Sequence, residues 1–510
     1  MVLLFVPLCI YLGLESAHGN LRLALFLFAA VTLFFLLFLF PKYLWAIAIA
    51  SLFIPGSIPG LPLPFSPTQL IIMIMLFKYL IEQVIFGKRG FYLGPAPDWL
   101  LLTGLLLVLL YHGVQDRFAM RIFGSDIWGG KAYLNIILAI LSYFLFFSSR
   151  YKEDTLSLLP GLAVVFSGFD VFLKVLTILV PGVAPYLYFF YSDVSTSGLD
   201  GEAAIFSTRW GFLGNFGYLL ILWSITNCRI QEFFTKCRWV KASALCLGLL
   251  FCILGGYRSS VAVGAVLVAC AGFRDFGWRG IFSLLPLTFM LALAILLQTF
   301  VGLPRQVQRS MAFLPGDWDQ AVVADTKGSN DFRIGVWDVW LHQYFPQNAF
   351  WGRGFGLKPY EIMAVLPYTT NSGEFAEYSR DEAFVVSGNL HNGFYSIIDR
   401  FGVVGLIFFL SWTFFVLKRL FQYLRKSREG PLDPSLQWLA IYIMTFTLCY
   451  LPGALRFENF LPAHLMLVAA FFAIYKQRKT SAETAETVCP EPADKAPVLA
   501  RGHRSDPVTL

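Results

Sequence analysis

His391-Asn392-Gly393-Phe394-Tyr395-Ser396-Ile397-Ile398-Asp399-Arg400-Phe401-Gly402-Val403-Val404-Gly405 joins a long polar loop to an apolar run that continues to Leu417. A junction of this kind marks the water–lipid boundary of a membrane helix, for which about 20 apolar residues suffice to span the hydrocarbon. A His on the first turn brings an imidazole to that boundary. Gly402 and Gly405, about three turns deeper on one face, leave room for the backbone of a second helix. The stretch reads as a reactive group on a tightly packed post.

Working outward, the composition sets the class. The 510 residues are 57% hydrophobic and only 14% charged, with a mean hydropathy of +0.65, which excludes a water-soluble globule. Apolar segments recur at residues 2–14, 21–40, 43–54, 67–86, 99–111, 132–147, 156–180, 203–226, 240–254, 259–273, 281–301, 392–417, 436–451 and 460–475. Several fall short of a full span, notably the pair joined at Gly255-Gly256-Tyr257-Arg258, and such segments must tilt, re-enter or lean on neighbours. The expectation is an all-α polytopic membrane protein with about 12–14 transmembrane helices and one large, partly helical periplasmic loop. The chain divides into N-terminal membrane helices (1–301), that loop (302–390), C-terminal membrane helices (391–479) and a disordered cytoplasmic tail (480–510), whose Ala, Glu, Pro and Thr have little to bury.

Charge orients the helices. Lys88-Arg89, Arg150 and Lys152, the 229–241 group, Arg274 and Arg279, the 418–428 group and Lys476-Arg478-Lys479 fall on alternate connections. The positive-inside rule assigns these to the cytoplasm, with both termini. Residues 55–65 and 181–202 carry no Lys or Arg, so they and the 302–390 loop lie outside. The first segment is expected to stay as an uncleaved helix, because no basic residue precedes it despite the small-residue pattern at Ser16-Ala17-His18. All eight cysteines fall outside the 302–390 loop, and no metal-ligand spacing occurs, so neither a disulfide framework there nor a metal site is expected. The net charge of +7 reports topology and contact with anionic lipid, not nucleic-acid binding.

Within the loop, Asp331-Phe332-Arg333-Ile334-Gly335-Val336-Trp337 opens a helical stretch that runs to Tyr344, and the turn Gly352-Arg353-Gly354-Phe355-Gly356 follows. Aromatic-rich loop helices can lie on the bilayer interface, with Trp337, Trp340 and Trp351 at headgroup level. The Gly352–Gly356 run reads as a turn; it lacks the strand, helix and Lys of a nucleotide cradle. His342, His112 and His464 have no partner pattern and read as structural. The loop acids Asp317, Asp319, Glu374, Glu377, Asp381 and Glu382 suit either sugar hydroxyls or a solvated face.

Arg333 with Trp337 four residues on, then Gly352-x-Gly354-x-Gly356, then His391-Asn392 and Gly402-x-x-Gly405, resembles the O-antigen ligase and polysaccharide polymerase superfamily of membrane glycosyltransferases. Tyr257-Arg258-Ser259-Ser260 is similar to that family's Ser-Arg-Gly-type element, with Tyr in place of a small residue. Arg209 with Gly214-Asn215 is similar to a looser Arg and Asn element, without its usual Pro. The resemblance covers roughly residues 209–405.

What the resemblance implies is a glycan donor linked through pyrophosphate to a polyprenyl lipid such as undecaprenol. The glycan passes to an acceptor hydroxyl on lipid A-core, or on a second glycan, at the periplasmic face of a bacterial inner membrane. Arg258, Arg333 and Arg209 become candidate pyrophosphate ligands, because guanidinium groups pair bidentately with phosphate oxygens and stay charged. His391 becomes the candidate base that takes the acceptor's proton. Asn392, Gly402, Gly405 and Trp337 complete the structural motif, and neither cofactor nor metal is expected. Alternatives are an O-antigen or exopolysaccharide polymerase, a protein O-oligosaccharyltransferase and, from a different class, a lipid-linked glycan flippase. Against the last, no clear internal repeat is visible and the strongest motif sits at the outer interface.

Overall fold

Among the described residues the apolar segments fold as helices. The computed structural model describes residues 43–54, 66–87, 94–120, 124–149, 151, 155, 157–183, 210–236, 238–361, 379–430, 432–453 and 456–488. The segments at 2–14 and 21–40 lie outside these; every later one carries a helix. We label α1 Leu44–Ala50, α2 Pro67–Phe86, α3 Ala96–Gln115, α4 Gly130–Ser148, α5 Leu159–Leu179, α6 Gly211–Thr226, α7 Trp239–Leu254, α8 Arg258–Phe276 and α9 Leu285–Val301. The large loop contributes α10 Arg305–Met311, α11 Gln320–Val339 and α12 Arg380–Val386. The chain then continues through α13 Gly393–Lys426, α14 Pro434–Thr445 and α15 Phe457–Val488. Seven helical stretches among the described residues are long and apolar enough to cross a bilayer, one of them joining α8 to α9. The protein is an all-α polytopic membrane protein. Helix α15 runs past residue 479 to Val488, and the remainder of the proposed tail lies outside the described residues.

In lipid the hydrophobic effect does not press helices together, so small residues that allow close approach decide which ones pair. Helices α6 and α7 show this directly. A Cβ on Gly217 would stand 2.6 Å from the Gly248 carbonyl and 2.9 Å from the Cys252 amide, and one on Gly255 would stand 3.0 Å from Gly214. Larger side chains fill the seam elsewhere: α13, α14 and α15 share a core in which Phe409, Trp412, Trp438, Phe457 and Phe471 are at most 1% exposed.

Helix α13 is interrupted where its sequence carries Gly402, which has φ +68°, a left-handed conformation that glycine adopts without strain. Gly402 and Gly405 read from sequence as a notch for a second helix. The structure corrects this: a loop enters at Gly402. A Cβ on Gly402 would run into the Phe350 carbonyl, and one on Gly405 into Phe401 of its own helix.

Among the described residues, members of the 229–241, 418–428 and 476–479 basic groups meet at the end of the bundle away from His391. Arg425 and Lys426 occupy the last turn of α13, Arg229 Nη2 donates to the Gly430 carbonyl at 2.8 Å, and Arg478 pairs with Asp433 at 3.2 Å. Arg274 differs from the solvated orienting cation the charge pattern suggests. It is 0% exposed, paired to Asp275 at 2.7 Å, and donates to the Ile225 and Cys228 carbonyls, so much of its charge is spent closing helix ends rather than facing solvent.

Candidate active site

The residue at the head of α13 sits in a strained backbone. His391 has φ +51°, a left-handed conformation that costs a β-substituted residue on the order of 1–2 kcal/mol. Both flanks are held. Before it, the Trp337 indole N–H donates to the Leu390 carbonyl at 2.7 Å. After it, the Asn392 side chain caps α13, accepting from the Phe394 and Tyr395 amides at 3.0 and 3.4 Å. The imidazole itself stacks on Phe384 with centroids 6.0 Å apart and meets the edge of Phe332 at 6.1 Å. Burial in this aromatic slot and the nearby Arg333 charge both disfavour the imidazolium and hold His391 down to about 4. At neutral pH the ring is uncharged, with a nitrogen lone pair available to accept a proton.

Arg333 links His391 to a cavity of about 90 Å³ whose lining includes Arg258, Arg309, Arg333, Asp325, Ser329 and Tyr257. Each arginine arrives from a different element. Arg258 is the first residue of α8, Arg309 lies in α10 and Arg333 in α11. Arg258 Nη2 donates to the Asn330 side-chain oxygen at 3.0 Å, and Arg309 forms an ion pair with Asp325. Two apolar contacts set this layer in place. Val307, Met311 and Trp318 pack on Ile253 and Val261 of α7 and α8, and Gly211 receives the Tyr257 ring, where a Cβ would come within 2.9 Å. Three guanidinium groups around one small cavity make a site for an anion with several oxygens.

A buried charge network braces the post behind His391. Asp399, 2% exposed, accepts from Arg353 Nη2 at 2.8 Å and Nε at 3.1 Å and from the Trp340 indole at 3.0 Å, and it lies 3.5 Å from Arg400. The glycine-rich turn is the loop that enters the α13 break. Arg353 N donates to the Asp399 carbonyl at 2.6 Å, while Val403 N and Val404 N turn to the Ala349 and Phe350 carbonyls at 2.8 and 3.4 Å. Backbone groups freed by the break are thereby satisfied among buried residues. On its far side the turn is held by α3 and α4 and their connection. His112 Nε2 meets the Trp351 carbonyl at 2.7 Å, and Tyr133 and Asp116 accept the Phe355 and Gly356 amides at 3.2 Å each. The turn is thus structural, as its residues suggest.

With that geometry in view, comparison with known families shows that residues 243–410 match the family described as O-Antigen ligase. This segment is an O-antigen ligase family domain. It begins inside α7, contains Arg258, Arg309, Arg333, Trp337, His391, Asn392, Gly402 and Gly405, and stops in α13. No curated protein matches the chain. The match spans about a third of the chain, which around it is a multi-pass membrane protein.

The ligase domain brings His391, Arg333 and Arg258 to one layer. Arg209 lies outside the described residues, as do Glu374 and Glu377. The aromatic pattern suggests lipid headgroups as neighbours, but the indole N–H groups of Trp337 and Trp340 are both taken by protein acceptors. Trp337 secures Leu390, and Trp340, 1% exposed, supports Asp399. Asp319 caps α11 by accepting the Ala321 amide at 2.9 Å, and Glu382 belongs to the capping box of α12 with Ser379. Sequence reasoning passed over Arg309, Arg353, Asp399 and Arg400. The adjacent Asp399-Arg400 pair inside an apolar run was a usable signal, since charges in a spanning helix are retained only where something holds them.

Proposed function

We propose that the protein transfers a glycan from a polyprenyl-pyrophosphate donor, undecaprenyl in kind, to an acceptor hydroxyl such as that of lipid A-core. The reaction takes place on the periplasmic face of a bacterial inner membrane and without a metal. The observation that carries this reading is the three-arginine cavity beside a neutral His391. The donor's pyrophosphate lies against Arg258 and Arg333, with Arg309 as a third cation tied to Asp325 and Arg209 as a further candidate. The acceptor's O–H proton moves to the His391 imidazole as its oxygen bonds to the anomeric carbon. The bond from that carbon to the phosphate oxygen breaks, and its electron pair leaves on the pyrophosphate. Fixed guanidinium groups at the leaving oxygen act more strongly as charge develops there, lowering the barrier and filling the role a divalent ion fills elsewhere. No enzyme carboxylate attacks the sugar, so the anomeric configuration inverts.

The experiment is reconstitution of the purified protein with lipid-linked glycan and acceptor in excess chelator. Release of polyprenyl pyrophosphate should match acceptor glycosylation one for one. Arg258→Lys and Arg333→Lys each keep the charge but lose the two-pronged geometry, and each should lower kcat/KM about ten- to a hundredfold. Lys variants as active as wild type would remove the arginines from the donor site, and activity restored only by magnesium would remove the metal-free mechanism. A ladder of lengthening chains on the lipid would identify the acceptor as a second glycan and the reaction as polymerisation.

The pH dependence follows from His391, which accepts a proton only when neutral. Its value is lowered to about 4, so kcat/KM, which reports the free protein, falls as pH drops through about 4 and is level through neutrality. The limb in kcat lies higher, because the bound pyrophosphate stabilises the imidazolium. A kcat/KM limb at about 6.5, the value of an unperturbed imidazole, would show that His391 is not the group titrating.

A further inference from the structure

At the end of the bundle opposite His391, a cleft of about 940 Å³ opens between α13 and α15. Arg419, Arg425, Lys426, Arg428, Lys476 and Lys479 line it, against the single acid Glu429. We propose that this cleft binds the phosphodiester headgroup of an anionic phospholipid.

Three features carry the proposal. The first is charge: Arg425, Lys426 and Arg428 crowd one side of the cleft with Glu429 beside them, and an anion seated among these guanidinium and ammonium groups relieves their mutual repulsion. The carbonyl end of α13 adds only about half a negative charge there, which the cations outweigh. The second is a fixed floor. Arg419 is held to Asp98 at 2.8 Å, Asp98 is 0% exposed and also accepts from the Tyr143 hydroxyl at 3.0 Å. The Arg419 guanidinium lies 5.1 Å from the Phe472 ring. The remaining basic side chains rise around this floor; Arg425, Lys426, Lys476 and Lys479 are exposed.

The third feature selects a lipid over a free anion. Phe147, Phe471, Phe472 and Tyr475 form apolar walls, which a hydrated phosphate ion has no use for but glycerol and the first acyl carbons do. The cleft is within the usual range of about 300–1,000 Å³ for a small-molecule site. Basic pockets between helix ends are a recurrent seat for anionic headgroups. The site shares no residue with the arginine cavity, so it stands or falls independently of the proposed transferase reaction.

The test uses the purified full-length protein, stripped of lipid and then incubated with phosphatidylglycerol or phosphatidylcholine. Bound lipid is counted by native mass spectrometry. Phosphatidylglycerol should bind about tenfold or more over phosphatidylcholine. The exposed triple variant Arg425→Gln/Lys426→Gln/Lys479→Gln should lose that preference. The variant Lys236→Gln/Arg238→Gln/Arg279→Gln, which removes three exposed charges outside the cleft, should keep it, and millimolar inorganic phosphate should not displace the lipid. Equal binding of the two lipids, or equal losses in the two triple variants, would reduce the cleft to general surface charge and overturn the proposal. Displacement by phosphate would make it a free-anion site and overturn it as well.

Discussion

His391→Ala abolishes glycan transfer, with a fall in kcat of about 10²–10⁴-fold expected for loss of a general base, while the protein inserts and folds as before. The side chain is half-buried and, among the described residues, packs on the Phe384 and Phe332 rings, so its removal disturbs little packing. Backbone strain sharpens the comparison. Ala at φ +51° keeps the conformational penalty, whereas Gly relieves it, so His391→Gly should be at least as stable as His391→Ala and just as inactive. Transfer by either variant at the wild-type rate, measured as acceptor glycosylation in reconstituted membranes, would contradict the assignment of the base.

Asp399→Asn should lower stability by about 3–5 kcal/mol, the range for removing one partner of a buried ion pair. The change leaves the side-chain volume and one acceptor oxygen for Trp340, but it strips the counter-charge from Arg353 and Arg400, which are 2.8 and 3.5 Å away. The turn that fills the α13 break is then held with less force, and His391 loses the rigidity of its post. Thermal unfolding of the purified protein should therefore shift down and activity fall with it. An unchanged midpoint would show that the carboxylate is not what secures the turn.

The helices were legible in the sequence because spanning hydrocarbon demands long apolar runs, and no other backbone form satisfies its own polar groups there. The partners of those helices were less so. Gly402 illustrates why: the absence of a Cβ serves a neighbouring helix and an entering loop equally, and only the chain's long-range path decides between them. Trp337 was visible through its spacing from Arg333, but its partner, the Leu390 carbonyl, is 53 residues away. Arg309 carries no motif and reaches the arginine cavity only because α10 packs on α7 and α8. The reading of Trp340 as an interfacial residue failed because a buried carboxylate drew its indole inward. The direction of the His391 shift was likewise closed to sequence, since it depends on the two rings and the arginine that surround it.

The central claim is that the His391 layer faces the compartment where a lipid-linked glycan is displayed, and thiol labelling tests this most directly. In a background without native cysteines, Gly328→Cys places a thiol on the loop helix carrying Arg333, at a position where an added Cβ meets nothing within 4 Å. Glu429→Cys places one at the exposed basic end. Five Lys and Arg lie between residues 418 and 428, and the positive-inside rule predicts a cytoplasmic position for that end. A membrane-impermeant thiol reagent added to cells with a permeable outer layer should label the cysteine at 328 at once and the one at 429 only after lysis. Labelling in the reverse order would place His391 and its arginines in the cytoplasm, and the transfer reaction proposed for them would fall.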